Sequence, residues 1–337
     1  MKIALPSSLH LITIALFLLT ACAKATPTAA PIPPSNTLVP STDIPASQPT
    51  ESVIPTSTLG VGSTTVSERD GATLVYVPEG AFLMGANYEP SDLYGSPSFR
   101  DNRPQHLVTL GAFWIDQTEV TNKQYALCVT DKVCIPPLNL KSPMRSTYYS
   151  DPEFVNYPVI HVEWAMAKNY CEWAGRRLPT EAEWEKAARS EQGFIYPWGN
   201  DAPNDNLLNY DSTVRDTTEV GKYPDGKSIY GAYDMAGNVW EWTNDWYGEN
   251  YYPNSPSSNP LGPDLGDFGG RTLRGGSWYF EEGSLRSIFR FGVIPVDVLV
   301  RSDLRSWLVP VYADTSIYGK PPLGLGTVGF RCAQSVP

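Results

Sequence analysis

Histidine is nearly absent from this chain, with three residues among 337. His106 and His161, the two beyond the N-terminal run, share no His-x-x-x-His or related spacing, so imidazole-based metal centres find little support. His106 reads as a strand-edge residue and His161 as core-flanking. No Gly-x-Ser-x-Gly elbow and no phosphate-binding glycine loop occurs, and no hydrolase triad can be defended. Basic residues are also few, 25 against 36 acidic ones, giving a net charge of −11. That balance lacks the positive footprint that draws proteins onto phosphate backbones, so nucleic acid is not expected as a partner. Only 18% of residues are charged, whereas proline and glycine number 31 and 27. A long helical bundle or coiled coil is thereby excluded. Aromatic residues are abundant instead: 10 Trp, 19 Tyr and 11 Phe. Such side chains cover area in a core that has little regular structure.

The N-terminus reads as an export device: Lys2, a largely apolar run from Leu11 to Leu19, then Leu19-Thr20-Ala21-Cys22. The run is too short to span a bilayer comfortably. Its end resembles the bacterial lipobox, which implies cleavage before Cys22 and a diacylglycerol on its thiol. The alternative is an ordinary secretory signal with an incidental cysteine. Residues 1–21 are therefore expected to be a lipoprotein signal peptide, and the mature chain an extracytoplasmic bacterial membrane lipoprotein whose membrane contact is the lipid on Cys22. From Ala23 to Arg69, 24 of 47 positions are Pro, Ser or Thr and none is aromatic. Such a stretch cannot offset its ordering entropy by burial, so residues 22–69 are expected to be a disordered linker. Lys2, Lys24 and Arg69 balance Asp43, Glu51 and Glu68, so the whole excess negative charge falls in residues 70–337, expected to be one domain.

That domain opens with Thr73-Leu74-Val75-Tyr76-Val77 and Gly80-Ala81-Phe82-Leu83-Met84 around Pro78-Glu79, a hairpin signature. His106–Ile115 reads as another strand, and Lys123–Val129 as a short helix preceded by capping residues from Thr118 to Asn122. Val159–Val162 reads as a strand leading into a helix over Trp164–Ala174, whose Trp164, Ala167, Tyr170, Cys171 and Ala174 share helical spacing before Gly175. Thr180 and Glu183 form a capping box for a third helix, Glu181–Arg189. Beyond Arg189, turns and short strands are expected, with little helix.

Arg176-Arg177-Leu178-Pro179-Thr180-Glu181-Ala182-Glu183-Trp184-Glu185 strongly resembles the sulfatase-modifying factor, or formylglycine-generating-enzyme-like, family. Further blocks in the family's order are Val77-Pro78-Glu79-Gly80, Glu119-Val120-Thr121-Asn122, Tyr196-Pro197-Trp198-Gly199-Asn200, Asp234-Met235-Ala236-Gly237-Asn238-Val239-Trp240-Glu241-Trp242, Arg274-Gly275-Gly276-Ser277-Trp278 and Val328-Gly329-Phe330-Arg331-Cys332. The resemblance implies an α+β, C-type-lectin-like fold with little regular secondary structure. Active members oxidise a client cysteine to formylglycine with oxygen and copper(I) held by two thiolates. The matching positions here are Phe280 and Leu285, so copper is not expected and no catalytic residue is assigned. Trp240, Ser277 and Trp278 remain as candidates for lining a groove.

Four cysteines follow Cys22, and in an exported protein they imply two disulfides with three possible pairings. The resemblance implies Cys171 with Cys332, which leaves Cys128 with Cys134. It also implies calcium at Asp234, Gly237, Val239 and Glu241. A second calcium site would fall near Asn209 and Tyr210, with Asp216 as a further candidate. Two carboxylates and backbone carbonyls from a glycine turn suit a hard cation, while a buried, amide-bonded Glu241 is the alternative.

Phe289–Thr327 departs from the family's short polar loop and is apolar, with Val296-Asp297-Val298-Leu299-Val300 and Trp307-Leu308-Val309. It is expected to fill or cover the groove, or to meet a partner. Three functions compete on this sequence. They are a surface-anchored, non-catalytic module binding a protein, peptide or glycan; a formylglycine-generating-type or other family oxidoreductase; and a structural cell-envelope component.

Overall fold

The structure, a computed structural model, describes residues 59–87, 101–295 and 325–336. Cys22, the signal segment and residues 22–58 of the proposed linker lie outside the described residues, as do residues 296–324 of the apolar insertion. The strands are β1 (Thr64–Val66), β2 (Thr73–Val77), β3 (Gly80–Met84), β4 (His106–Leu110), β5 (Phe113–Asp116), β6 (Trp240–Trp246), β7 (Arg271–Arg274), β8 (Phe291–Val293), β9 (Val328–Gly329) and β10 (Ala333–Ser335). The helices are α1 (Asn122–Thr130), α2 (Trp164–Trp173) and α3 (Glu181–Arg189). The strands form a sheet ordered β1-β2-β5-β10, a pair β3-β4, and a sheet ordered β8-β7-β6-β9. The architecture is α+β, with short helices and otherwise turns, as the resemblance implies. No helix among the described residues is long and apolar enough to cross a membrane.

Three expectations about strands need correction. β2 and β3 do not pair with each other: β2 joins β1 and β5, and β3 joins β4. The Pro78-Glu79 turn carries the chain from one sheet to the other. His106–Ile115 is likewise two strands in different sheets, separated at Gly111-Ala112. Val159–Val162 is not a strand; its neighbourhood holds only an isolated bridge between Thr121 and Pro158. The expected start of the domain at residue 70 also moves back. β1 pairs in register with β2, and Asp70 is buried in an ion pair with Arg176.

The helices follow their local signals. Thr121 caps α1 and Thr180 caps α3, each in a complete capping box with the side chain at the third helical position, Gln124 and Glu183. α2 ends at Trp173, with Gly175 at φ +75°. One apolar core gathers α1, α2 and β6, and Cys171–Cys332 ties α2 to the segment before β10 with a Cα separation of 5.6 Å. A second core packs α3 against β2, β3, β4 and β5.

All nine residues of α3 are buried although five are charged. Such burial is tolerable only where each charge is paired. Glu185 accepts from Arg274 Nη2 at 2.6 Å, from Arg189 Nη1 at 3.1 Å and from the Gly85 amide at 2.7 Å. Glu181 accepts from Arg290 Nε at 2.6 Å, and Arg177 forks onto Glu183 at 2.6 Å through both terminal nitrogens. Lys186 donates to the carbonyls of Pro78 and Gly80 at 2.7 and 3.0 Å. Burial alone would raise the Glu185 pKa, but Arg274 and Arg189 outweigh it and hold it below the usual carboxylate range.

Candidate functional site

The Arg274–Trp278 block leaves β7 through two glycines in the left-handed region, Gly275 at φ +92° and Gly276 at φ +72°. A Cβ on Gly276 would lie 2.8 Å from Leu285 Cδ2 and 2.9 Å from the Ser284 carbonyl. Only glycine lets this backbone approach the 3-10 turn Glu282–Leu285 so closely. The turn is then fixed by its amides. Trp278 N–H donates to the Asn238 carbonyl at 2.9 Å, Phe280 N–H to the Ser277 carbonyl at 3.0 Å, and Ser212 N–H to the Trp278 carbonyl at 2.7 Å.

The side chains at the family's two thiolate positions diverge into separate apolar clusters. The Phe280 ring packs edge-on against Trp240, with centroids 5.5 Å apart, within the core around α2. Leu285 is fully buried with Tyr196, Leu208 and Ala236. The four cysteines among the described residues supply no replacement thiolates, because Cys128–Cys134 and Cys171–Cys332 are both disulfides. A soft-donor copper(I) site therefore does not fit the residues present.

The groove candidates are also less accessible than expected. Trp240, Ser277 and Trp278 are buried, and the indole N–H groups of both tryptophans lack an acceptor among the described residues. What reaches the surface beside them is the half-buried set Tyr279, Phe291 and Val293. An open cleft of about 620 Å³ lies elsewhere, lined by Glu79, Arg177, Glu183, Asn244 and Asn259 among others. It shares no residue with the Gly275–Leu285 turn. Nothing in the sequence reading singled out this cleft.

The acidic turn after Tyr233 has a structure of its own. Asp234 and Asn238 take positive φ values of 54° and 53°, as does Gly237 at 79°. A Cβ on Gly237 would sit 2.4 Å from the Asn209 carbonyl, so the turn presses directly on the segment proposed for a second cation. Glu241 is not an open ligand. Arg331 grips both its oxygens, Nε to Oε2 and Nη2 to Oε1 at 2.7 Å each, and Trp184 Nε1 donates to Oε2 at 2.8 Å. Asp234 Oδ2 accepts the Gly221 amide at 2.6 Å. Asp216 is occupied as well, by Ser142 Oγ at 2.5 Å, the Met144 amide at 3.1 Å, Arg145 at 3.1 Å and the Thr217 amide at 2.8 Å. The Tyr210 hydroxyl donates to the Pro203 carbonyl at 3.3 Å, and Val239 is buried.

Two buried oxygens in this network, Glu119 Oε2 and Asn209 Oδ1, accept from no N–H or hydroxyl group among the described residues, and Glu119 instead faces the Asp234 carboxyl. Asn238 links them: its Nδ2 donates to Glu119 Oε1 at 3.0 Å, and Asn209 Nδ2 donates to its Oδ1 at 3.3 Å. Burial pushes Asp234 up to about 6. Burial and then the Asp234 charge push Glu119 well above the usual carboxylate range. Hard oxygen donors beside an excess of carboxylates fit a cation such as calcium. No group of three His, Cys, Asp or Glu with metal-site geometry occurs among the described residues, so backbone and amide oxygens would have to complete the shell. Glu119 and the Arg331 clamp are features that motif matching did not assign.

Residues 62–298 match the model of a sulfatase-modifying factor enzyme 1-like domain. The chain is 33% identical over 311 residues to the formylglycine-generating enzyme of Streptomyces coelicolor, covering 77% of this chain and 88% of that one. It is 33% identical over 252 residues to the inactive C-alpha-formylglycine-generating enzyme 2 of Mus musculus, covering 61% and 74%. A protein of Chlamydia trachomatis named serine/threonine-protein kinase Pkn1 is 38% identical over 204 residues. This match covers 57% of the present chain and 32% of the relative, and the chain spans no more than 35% of the Pkn1 proteins of Chlamydia pneumoniae and Chlamydia caviae. Among solved structures, PvdO from Pseudomonas aeruginosa superposes with a TM-score of 0.61 at 24% identity, covering 83% of this chain and all of PvdO. The fold, the ordered motif blocks and these matches together place the chain in the sulfatase-modifying factor family.

Proposed function

We propose that this chain is a non-catalytic binding module built on the sulfatase-modifying factor fold, held outside the cytoplasm by lipid on Cys22 and displayed on its Pro/Ser/Thr-rich linker. Its ligand would be a protein, peptide or glycan. The observation that carries this reading is the burial of Phe280 and Leu285 in two separate apolar clusters where the family's oxidase places a pair of thiolates. Two further cysteines cannot be recruited without breaking a disulfide. That a mouse relative is itself named inactive is consistent with a family that includes non-catalytic members.

The half-buried face formed by Tyr279, Phe291 and Val293 is the ligand-facing surface of this proposal, because aromatic rings supply contact area at low entropic cost. Calcium is proposed to brace the Asp234–Glu241 turn, with Asp234, Asn209 and Glu119 among the oxygens available to it. Its role would be structural, since the turn supports Trp278 through the Asn238 carbonyl. The test is incubation of the purified protein with copper, oxygen and a Cys-x-Pro-x-Arg peptide. No oxygen uptake and no mass change in the peptide are expected; conversion of the peptide thiol to an aldehyde would refute the non-catalytic reading.

A further inference from the structure

Six large apolar side chains with 41–64% exposure lie between residues 127 and 144: Leu127, Val133, Ile135, Leu138, Leu140 and Met144. Their exposure is not the fraying of a loose loop, because the backbone beneath them is pinned. Leu127, Val133 and Ile135 each adjoin a cysteine of the Cys128–Cys134 disulfide, whose Cα atoms are 5.2 Å apart, so the backbone carrying the three is held close together. The Tyr125 hydroxyl donates to the Ile135 carbonyl at 3.0 Å, and Leu138 N–H donates to the His161 carbonyl at 2.9 Å. The Tyr148 and Tyr149 amides both donate to the Leu140 carbonyl at 3.0 Å, and the Met144 amide donates to Asp216 at 3.1 Å. Leu138 and Leu140 follow Ile135 closely, and even fully extended chain would separate Leu140 from it by no more than about 18 Å. An apolar patch of this kind marks a contact surface.

The charge around the patch is opposite to that of the protein. Lys123, Lys132 and Lys141 are exposed and form no ion pair among the described residues. The acidic side chain in the same stretch, Asp131, is taken by Arg69 at 3.7 Å and by Trp173 Nε1 at 2.9 Å. In a chain of net charge −11, three exposed lysines thus alternate in sequence with the exposed apolar residues. A symmetric pairing of two copies through this face would bring those lysines together. An anionic bilayer would attract them, receive the apolar side chains at the acyl boundary, and repel the acidic remainder of the domain, fixing its orientation.

We propose that the 127–145 surface is a docking site for an anionic phospholipid bilayer, with Lys132 and Lys141 on the headgroups and Ile135, Leu138, Leu140 and Met144 inserted at the boundary. This goes beyond the binding-module reading and does not depend on lipid at Cys22. The test is amide hydrogen exchange of the full chain with phosphatidylcholine vesicles, with or without 30% phosphatidylglycerol. An N-terminal lipid would act equally on both vesicles, so their difference isolates the patch. Exchange across 132–145 should slow by about fivefold or more on the anionic vesicles alone, and 0.5 M salt should remove the effect. K132E/K141E and L138D/M144D should each abolish it while circular dichroism stays native. Equal exchange on the two vesicles would overturn the proposal. So would the same protection from soluble polyglutamate without lipid, which would assign the surface to an acidic polypeptide.

Discussion

The ion-pair scaffold around α3 and the turn from Gly275 to Leu285 adjoin each other, yet they keep different parts of their family's sequence. In the scaffold the charged side chains are retained and each meets its partner, as Arg274 does with Glu185 and Arg331 with Glu241. In the turn the backbone residues Gly275, Gly276 and Ser277 are retained, while the side chains that would carry chemistry are Phe280 and Leu285. The comparison separates two requirements. The fold depends on buried charges that no single substitution can remove cheaply, whereas the oxidation depends on a donor pair whose places here are taken by hydrophobic packing.

The largest expected effect comes from breaking the scaffold. Arg274→Ala would leave Glu185 buried with Arg189 as its remaining guanidinium, and a loss of about 3–5 kcal/mol is expected in urea denaturation. On the turn side, Leu285→Ala removes a fully buried side chain from a cluster of its own, and a loss of about 2–5 kcal/mol is expected in the same assay. If Leu285 lined an open ligand site instead, the loss would be far smaller.

A pH experiment sharpens the scaffold side. Burial pushes Asp116 up from its ordinary 3.8 to about 6, with the Arg176 guanidinium pulling the other way. Its folded value lies above its unfolded value, so its contribution is complete below 3.8 and is lost as pH rises through 6. The change is at most roughly 3 kcal/mol. Relative to the native chain, Asp116→Asn should flatten the fall in denaturation midpoint between about pH 4 and 6. An unchanged slope would place the titration elsewhere. The smallest effect is expected on the turn side, from the proposed cation. Calcium at tenfold excess over its Kd should stabilise by about 1.4 kcal/mol, reversed by chelator and reduced in N209A, read as a thermal shift.

These contrasts also explain what was legible in the sequence. The α3 capping box depends on Thr180 and Glu183, three residues apart, and it formed as expected. Strand pairing depends on partners far along the chain: adjacent β2 and β3 looked like a hairpin but enter different sheets. The buried ion pairs were hidden for the same reason, with Glu185 and Arg274 89 residues apart and Glu241 and Arg331 90 apart. Absence of the two thiolates was visible from the motif spacing. That Phe280 and Leu285 point into different clusters, and that Trp240 and Trp278 are buried, required the fold. The 127–144 surface escaped notice because, beyond the expected helix Lys123–Val129, it carries no helix or strand signal, and only the disulfide and amide bonds show it to be fixed.

The comparison between scaffold and turn is tested most directly by anaerobic copper(I) titration against a chromophoric chelator, with the native chain and F280C/L285C side by side. The native chain should leave copper with the chelator, because its thiolate positions are apolar packing and the four cysteines of the described residues are bridged. Withdrawal of copper by the double variant would show that this backbone can still bring the two positions to one ion, although their present side chains enter separate clusters. Withdrawal of a full equivalent by the native chain would contradict the account.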